Sequence, residues 1–485
     1  MAKQYLALDL GASGGRAILG AVANGRLHTR EVHRFSNTPV MAGGHFYWDV
    51  LRLLHGIHTG LQNAAEGDGF CSAAVDTWGV DYGLVDAAGV LLQNPMHYRD
   101  TRTQGMAEQV EKLVSSAEFY RTNGLQQMEI NTVYQLYADC TERPWLKDSA
   151  AAMLLMPDLF HYLLTGKQVT ERSIASTTQL LDANTGNWSD TLIEKLSLPR
   201  HIFTEIIPSG TVIGSLSDTL CRQLSIAPAR ITAVCGHDTQ SAMAAIPAEE
   251  TDFIFLSCGT WALFGTELPK PLITETSRKY AVTNEIGYGG RASFLQNISG
   301  LWLIQETRRV LAQQGESYSY AQLEQLAQTV EPFASLINVD DPRFDTAGDM
   351  PARIRAYCKE TGQPIPYSVG AVMRCIYESL ALRFAKALSQ IKECTGKAYR
   401  RIHMVGGGVK DKLLCQMTAD ACGVPVMAGP TEATVCGNLM IQMLADGSVH
   451  SLEEARRIVA ASVTIEQYLP QKDFSAVWER YLALP

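Results

Sequence analysis

The sequence has 485 residues, of which 46% are hydrophobic and 19% charged, with a formal net charge of -9 at pH 7. This length and composition, without any low-complexity tract, predict a globular protein of about three domains or of two larger ones. The acidic balance argues against nucleic acid or an anionic membrane surface as a partner, because either would require clustered Lys and Arg. No stretch of the sequence is long and apolar enough to predict a membrane span.

The N-terminus and the cysteines bear on the cellular compartment. Residues 1–10 lead straight into a predicted strand, without the apolar region and cleavage site of a secretory signal. The 11 cysteines are scattered through apolar runs, without Cys-x-x-Cys pairs or histidines at the spacing of metal ligands. We therefore expect reduced thiols in a cytoplasmic protein.

Residues 6–20 consist of two β-prone runs joined by a glycine-rich turn, which predicts a hairpin. Backbone N–H groups at its tip, together with a hydroxyl and a guanidinium group, could hold a phosphate. The residues concerned are Gly11, Ser13, Gly14, Gly15 and Arg16. Asp9, just before the tip, is of the type that holds a hydrated Mg²⁺. The alternative is an ordinary hairpin with permissive turn residues.

Residues 27–35 predict a third strand, and apolar residues at helical spacing from 50 to 61 predict a helix that packs on the sheet. Residues 73–85 predict a strand, a turn and a second strand. Polar and aromatic side chains are concentrated at that turn, which is typical of a substrate loop. Trp78 in this turn would either line a pocket or belong to the core.

Residues 97–102 place two arginines and a carboxylate in one short connection. They would either contact a polar ligand or form a salt-bridge cluster. Further along, Pro157 predicts the start of a helix that ends near Gly166.

The stretch 233–241, Ala-Val-Cys-Gly-His-Asp-Thr-Gln-Ser, ends an apolar run in a small polar cluster, after which a helix is predicted. A carboxylate at the end of a buried strand can meet a substrate where water is excluded, so Asp238 is a candidate general base. The alternative is that Asp238 or Thr239 only caps the following helix.

Residues 253–265 repeat the design of residues 6–20, with a Gly-Thr tip. Two such hairpins about half a chain apart indicate a duplicated lobe with a ligand between the copies. Residues 402–414 then predict a strand, three glycines and a helix that Gly423 stops. A flat base or a phosphate could lie against these glycines near a helix N-terminus. The apolar pattern from 372 to 391 predicts the buried face of a long helix.

Hairpin, hairpin and strand-glycine-helix, in this order, resemble the phosphate and adenosine motifs of the actin, hexokinase and Hsp70 superfamily. Within it, the chain resembles the FGGY carbohydrate kinases over essentially its whole length. The motifs that carry the resemblance are 9–16, 76–81, 98–102, 156–158, 175–188, 236–239, 297–302 and 405–408. The resemblance implies an α/β fold of two related ribonuclease H-like (actin-like ATPase) domains, 1–245 and 246–485, with a cleft between them.

The resemblance further implies ATP-dependent phosphorylation of the C1 hydroxyl of L-rhamnulose, with Mg²⁺ near Asp9. The partners would be the sugar and ATP, with no nucleic acid or membrane, in a monomer or homodimer. One alternative is another ketose or polyol, such as L-fuculose, as the substrate. A second is an actin-like nucleotide-binding scaffold without sugar kinase activity.

The resemblance also implies a role for individual residues. Asp238 would accept the proton, and the ketose would contact Gly79, His237, Thr239 and Asn297. ATP would contact Ala12, Ser13, Gly14, Gly15, Arg16, Thr260, Gln305, Gly406, Gly407 and Gly408. The first turn departs from the family's usual Ala-Ser-Ser-Gly-Arg, because Gly14 stands in place of the second serine. We expect backbone donors to compensate for the missing hydroxyl.

Overall fold

The structure, a computed structural model, describes residues 2–485, which form two α/β units. The first unit comprises the residues up to Glu249 together with Leu268–Phe294 and Ala433–Ser462. The second unit comprises Glu250–Glu267, Leu295–Glu432 and Val463–Pro485. Two late segments of the chain therefore belong to the first unit.

Strands and helices are distributed over the whole described chain. The strands are β1 Tyr5–Gly11, β2 Gly14–Ala23, β3 Arg26–Ser36, β4 Val40–Ala42, β5 His45–Tyr47, β6 Ser72–Thr77, β7 Tyr82–Val85, β8 Ala152–Leu155, β9 Thr170–Glu171, β10 Leu181–Asp182, β11 Asn187–Trp188, β12 Ile206–Ile207, β13 Thr211–Ser215, β14 Arg230–Ala233, β15 Ile254–Cys258, β16 Trp261–Leu268, β17 Thr283–Ile286, β18 Ala292–Ser299, β19 Ile402–Val405, β20 Val426–Ala428 and β21 Glu466–Tyr468. The helices are α1 Val50–Ala65, α2 Met106–Glu111, α3 Ser116–Asn123, α4 Thr132–Glu142, α5 Pro144–Ser149, α6 Met156–Thr165, α7 Arg172–Ala175, α8 Asp190–Lys195, α9 Asp218–Leu224, α10 Asp238–Ala244, α11 Glu275–Lys279, α12 Trp302–Gln313, α13 Tyr320–Gln328, α14 Met350–Glu360, α15 Val369–Thr395, α16 Lys412–Cys422, α17 Ala433–Ala445, α18 Leu452–Ser462 and α19 Ser475–Leu482.

The first unit is built on a sheet with the strand order β13-β14-β6-β1-β2-β3. Strands β1, β2 and β3 form an antiparallel meander, whereas β6 lies parallel to both β1 and β14. Side chains of β6 alternate between two cores, as the pleat of a strand requires. Ala73 and Val75 share a core with Leu53 and Ile57 of α1. Ala74 points the other way and joins a core with Ile441 of α17.

Helix α1 approaches the sheet closely because its own Gly56 and Gly60 face the sheet. Asp49 caps the helix by accepting a hydrogen bond from the backbone N–H of Arg52 at 3.1 Å. A Cβ atom at Gly60 would lie only 2.6 Å from the Cβ atom of Ala17 on β2. The glycine therefore permits a helix-to-sheet distance that alanine would not.

The second unit repeats the hairpin design on its own sheet. Its strands lie in the order β18-β16-β15-β19-β20-β21. The hairpin strands β15 and β16 are antiparallel, and β15 lies parallel to β19, as β1 lies parallel to β6. The long helix α15 packs against α13 and α16. Its predicted apolar stripe from Val372 to Ile391 is buried.

The two hairpins, the strand at 26–36, the helix from 50 and the long helix before residue 400 confirm the corresponding sequence predictions. The helix at Pro157 also ends as predicted, because Gly166 adopts a left-handed conformation at its C-terminus. The strand, glycine turn and helix predicted over 402–414 are present as well. Residues Gly407–Lys410 form a 3₁₀ turn, and α16 starts at Lys412, with Asp411 as its N-cap and Gly423 as its C-cap.

The remaining predictions concern thiols and membrane spans. All eleven cysteines carry free thiols. In the described part of the chain, residues 2–485, no helix has both the length and the apolar character needed to cross a membrane.

Candidate active site

The loop between β14 and α10 carries the candidate base and is fixed by hydrogen bonds from distant segments. The backbone N–H of Gly236 donates to Oε2 of Glu171 at 2.9 Å, and its carbonyl accepts from the N–H of Thr77, also at 2.9 Å. The N–H of His237 donates to the hydroxyl of Ser173 at 3.3 Å. The position of this backbone is therefore set before any ligand binds.

Asp238 is the first residue of α10, and His237 is the N-cap without a side-chain capping bond. The N-cap position is therefore occupied by His237 and not by Asp238 or Thr239. The Oδ1 atom of Asp238 accepts from the N–H of Thr239 at 2.6 Å and from its hydroxyl at 3.3 Å. About a third of the side chain stays exposed, at 30%. Burial raises the pKa of Asp238, and the neighbouring His237 opposes this shift.

Three carboxylates of the first unit act on one another. Asp9 and Asp76 are direct neighbours on the parallel strands β1 and β6. Burial, followed by the charge of Asp9, raises the pKa of Asp76 well above its ordinary value. Asp9 also raises the pKa of Asp238. These acids disfavour one another's ionisation, so a bound cation would stabilise their ionised carboxylates.

These acids fit a hydrated ion better than a fully protein-bound one. No three His, Cys, Asp or Glu side chains within residues 2–485 are close enough together to enclose a metal ion. The Oδ2 atom of Asp76 accepts a hydrogen bond from Nδ2 of Asn438 at 2.7 Å, but its Oδ1 atom is buried without a partner. Asp9 forms an ion pair with Arg16 across the hairpin at 2.5 Å. A Mg²⁺ ion that keeps most of its water needs only one or two such carboxylates.

The turn after β6 is strained. Val80 has φ = 68°, a left-handed conformation that is rare for a β-branched residue. Its N–H donates to the hydroxyl of Thr177 at 3.1 Å, and its carbonyl accepts from the hydroxyl of Thr132 at 2.6 Å. The neighbouring Gly79 packs on Thr177, which a Cβ atom would approach to 3.2 Å. The turn is thus held in an unusual shape by groups on both sides.

Near this turn, burial indicates the role of two residues, Trp78 and Arg102. Trp78 is 6% exposed and donates from Nε1 to Oδ2 of Asp81 at 2.9 Å, so it is a core residue. Arg102 is also buried, with its Nε atom 3.2 Å from Oδ1 of Asp139 and a hydrogen bond to Gln135 at 2.6 Å. Of the 97–102 segment, Arg102 therefore belongs to a buried ion-pair cluster.

In the second unit, the tip of the β15–β16 hairpin exposes Thr260. Its hydroxyl donates to Oε1 of Gln305, in the first turn of α12, at 3.2 Å. The structure therefore brings together two residues that are 45 positions apart in the sequence. Asn297 lies on β18 and is half-buried.

The three positions after β19 differ in whether and why they require glycine. Gly406 has φ = 85°, which side chains rarely adopt. A Cβ atom on Gly408 would collide with the side chain of Cys258 at the end of β15. Gly407 is exposed, and nothing lies within 4 Å of the place of its Cβ atom. The turn therefore packs against β15 at Gly408 and is exposed at Gly407.

Three residues that support the site were not singled out from the sequence, namely Glu171, Glu285 and Asn438. Asn438 and Gln442 lie four residues apart in the otherwise apolar α17, and a buried polar pair on one helix face is a recognisable pattern. Glu171 lies in a hydroxyl-rich region and offers no comparable pattern. Glu285 interrupts a buried β-strand, which is unusual for an acid.

Comparison with known families agrees with this architecture. Residues 4–245 match the N-terminal domain, and residues 254–445 the C-terminal domain, of the FGGY family of carbohydrate kinases. The chain therefore belongs to the FGGY family and is an ATP-dependent carbohydrate kinase. Kinases of this family use ATP together with a divalent metal ion.

Several relatives are similar over almost their full length. A rhamnulokinase of Bacteroides thetaiotaomicron is 40% identical over 480 residues, which cover 99% of this chain and 98% of that protein. A rhamnulokinase of Bacillus subtilis is 38% identical over 468 residues, covering 96% and 95%. Among solved structures, a xylulose kinase of Lactobacillus acidophilus has a TM-score of 0.83 at 16% identity, covering 99% of this chain and 96% of that one. The glycerol kinase of Plasmodium falciparum with ADP has a TM-score of 0.78 at 14% identity, with the same coverage.

Proposed function

We propose that this kinase transfers the γ-phosphoryl group of ATP to the C1 hydroxyl of L-rhamnulose, giving L-rhamnulose 1-phosphate. The observation that carries the choice of sugar is the similarity to rhamnulokinases over at least 95% of both chains. The observation that supports the reaction type is the fixed, partly exposed carboxylate of Asp238.

Asp238 acts as the general base. A sugar hydroxyl is a poor nucleophile, so the carboxylate orients it and accepts its proton late in a loose, in-line transfer. Thr239 holds one carboxylate oxygen by two hydrogen bonds. The raised pKa of Asp238 makes the carboxylate a better proton acceptor than an exposed aspartate. A positioned base of this kind contributes about 10²- to 10⁴-fold to the rate.

The ketose contacts Gly79, His237, Thr239 and Asn297. The strained turn at Val80 supports this role for Gly79, because strain of this kind is concentrated at ligand-binding sites. His237 and Thr239 flank the base directly. A sugar held by backbone and side-chain groups on both sides of Asp238 would keep its C1 hydroxyl in line for transfer.

ATP contacts the two hairpin tips and the glycine turn. The contacts proposed for it are Ala12, Ser13, Gly14, Gly15, Arg16, Thr260, Gln305, Gly406, Gly407 and Gly408. Ala12 and Ser13 are exposed at the first tip, and Thr260 is exposed at the second. Backbone N–H groups at such turns are suited to phosphate oxygens. The open side of the turn at Gly407 leaves room for the flat adenosine group.

The divalent ion is proposed to be Mg²⁺, held by Asp9 through water. The mutual influence of Asp9, Asp76 and Asp238 and the unpartnered Oδ1 atom of Asp76 support a cation here. When bound, Mg²⁺ neutralises charge on the phosphate oxygens of ATP. The ion pair of Asp9 with Arg16 keeps the carboxylate oriented toward the hairpin tip.

We also propose that residues 1–245 and 246–485 are the two related domains of the ancestral duplication. The family matches at 4–245 and 254–445 support this division. We further propose that the enzyme is cytoplasmic, keeps its eleven thiols reduced and acts as a monomer or homodimer.

A panel of sugars tests the proposed substrate in a coupled assay of ADP release. L-rhamnulose should give the highest kcat/KM, well above L-fuculose, D-xylulose and glycerol. Preference for another ketose or polyol would contradict the substrate assignment. ATP hydrolysis that does not depend on any sugar would instead support a nucleotide-binding scaffold.

A further inference from the structure

The imidazole ring of His237 lies between two carboxylates of the first unit. Its Nδ1 atom is 3.0 Å from Oε2 of Glu285, and its Nε2 atom is 3.5 Å from Oδ1 of Asp238. The contact with Glu285 is an ion pair and not an aligned hydrogen bond. The side chains of His237 and Glu285 are only 11% and 8% exposed, so water screens their attraction little.

Glu285 in turn accepts a hydrogen bond from a neighbouring side chain. The Nε2 atom of Gln240 donates to Oε2 of Glu285 at 2.9 Å, and the Oε1 atom of Gln240 accepts from the hydroxyl of Ser293 at 2.7 Å. A chain of contacts thus runs from Ser293 through Gln240 and Glu285 to His237. A glutamine in place of Glu285 could accept the same bond from Gln240. Glutamate differs from glutamine at this position in its negative charge. A buried charge is stable in a folded protein only where it has a partner.

We propose that Glu285 is a positioning residue for the sugar site, which holds the ring of His237 so that its Nε2–H group lies beside the carboxylate of Asp238. This inference rests on the proposed function, because the group presented there is meant for a hydroxyl of the sugar. Glu285 does not touch the sugar in this account; it acts through His237.

The charges around His237 support this arrangement. Burial alone would lower the pKa of His237, but Glu285 and then Asp238 and Glu171 outweigh it and raise the pKa to about 9. These three acids come from β17, from the start of α10 and from β9. A protonated ring donates from both nitrogens, so Nε2–H is available to a ligand while Nδ1–H faces Glu285. Charge-assisted donors of this kind bind more strongly than neutral ones.

The substitution Glu285→Gln tests the proposal, because it keeps the shape and the bond from Gln240 but removes the charge. The KM for whichever sugar the wild-type enzyme phosphorylates should rise on the order of 10- to 100-fold, with the KM for ATP nearly unchanged. Glu285→Asp, which retains the charge, should restore part of the sugar affinity. Glu275→Gln is the matched control, since Glu275 is an exposed acid in the same segment that pairs with Arg278 in its own helix turn. This variant should behave as the wild type.

A double-mutant cycle shows whether Glu285 acts through His237. In a His237→Gln background, Glu285→Gln should have little further effect on the sugar KM. Full additivity, an unchanged sugar KM in Glu285→Gln, or an equal rise in both Michaelis constants would overturn the proposal. Loss of folded protein in both Glu285 variants would do the same, because it would make Glu285 a purely structural residue.

Histidine NMR separates this inference from the proposed function. The wild-type enzyme should show one histidine that titrates near pH 9, and Glu285→Gln should move that titration below about pH 7. This measurement needs no substrate. If the pKa of His237 is raised but the enzyme does not phosphorylate L-rhamnulose, the proposed substrate is refuted and the ion pair of His237 with Glu285 is supported. A His237 titration that is identical in both proteins would refute the role of Glu285 alone.

Discussion

Glu171 accepts a hydrogen bond at 2.9 Å from the backbone N–H of Gly236, two residues before the proposed base. The same buried carboxylate accepts from the N–H groups of Ser173 and Ile174 at 2.9 and 3.1 Å. It also accepts from the hydroxyl groups of Ser173 and Ser209, both at 2.5 Å. A single side chain on β9 therefore helps to hold the start of the loop that carries Asp238.

Replacing Glu171 with Gln should reduce both stability and turnover. Glutamine cannot accept all five hydrogen bonds, since its NH₂ group is a donor that would face other donors. We expect the free energy of unfolding to fall by about 1–3 kcal/mol, and kcat to fall on the order of 10- to 100-fold as the loop shifts. Urea denaturation and the coupled assay measure the two effects. Glu194→Gln, at an exposed position of α8, is the control, and wild-type behaviour of Glu171→Gln would exclude this anchoring role.

The glycine turn of the second unit offers a matched pair. Gly408→Ala should lower stability by about 1–3 kcal/mol, because the new methyl group collides with Cys258. Gly407→Ala should leave stability within about 0.5 kcal/mol of the wild type, since its methyl group meets no protein atom. If ATP lies against Gly407, however, the KM for ATP should rise in this second variant. Equal stability of the two variants would contradict the packing described for the turn.

Asp81 should titrate near neutral pH. Burial raises its pKa to about 6, although Trp48, Trp78 and Gln135 donate hydrogen bonds to the carboxylate. Both indole N–H groups bond to the same oxygen, at 2.6 and 2.9 Å. Protonation of Asp81 should therefore change the tryptophan emission with a midpoint near pH 6. Asp81→Asn should abolish this transition; its persistence in that variant would assign it to another group.

The same shift has a consequence for stability. Because the pKa of Asp81 is about 6 in the folded chain and near 3.8 when unfolded, the folded state binds more protons between these values. The contribution of Asp81 is thus fully favourable below pH 3.8 and is lost as the pH rises through 6. The pH dependence of the unfolding free energy in this window should be shallower or reversed in Asp81→Asn, and an identical pH dependence would contradict the raised pKa.

Local patterns predicted most of the fold. The hairpins at 6–20 and 253–265 and the stripe from Val372 to Ile391 follow from alternation, turn glycines and helical spacing, which depend only on near neighbours in the chain. The return of residues 433–462 to the first unit could not be predicted in this way. Helix α17 is apolar nearly all round, and its partners on β1 and β6 lie more than 350 residues earlier.

The supports of the candidate site could not be predicted for a similar reason. Asp238 was visible because it follows a buried strand. The supports of its loop, Glu171 and Ser173, are 65 and 64 residues away from their backbone partners. These contacts form only in the folded chain. Single acids and hydroxyls carry no periodic pattern from which the contacts could be predicted.

The substitution Asp238→Asn tests the central claim most directly. Asparagine keeps the size and the bonds from Thr239 but cannot accept the proton of the sugar hydroxyl. Turnover measured with saturating L-rhamnulose and ATP should fall by about 10²- to 10⁴-fold, while the dissociation constant for the sugar, measured by calorimetry, changes little. Near-normal turnover in this variant would remove Asp238 from the mechanism and with it the account of how this enzyme works.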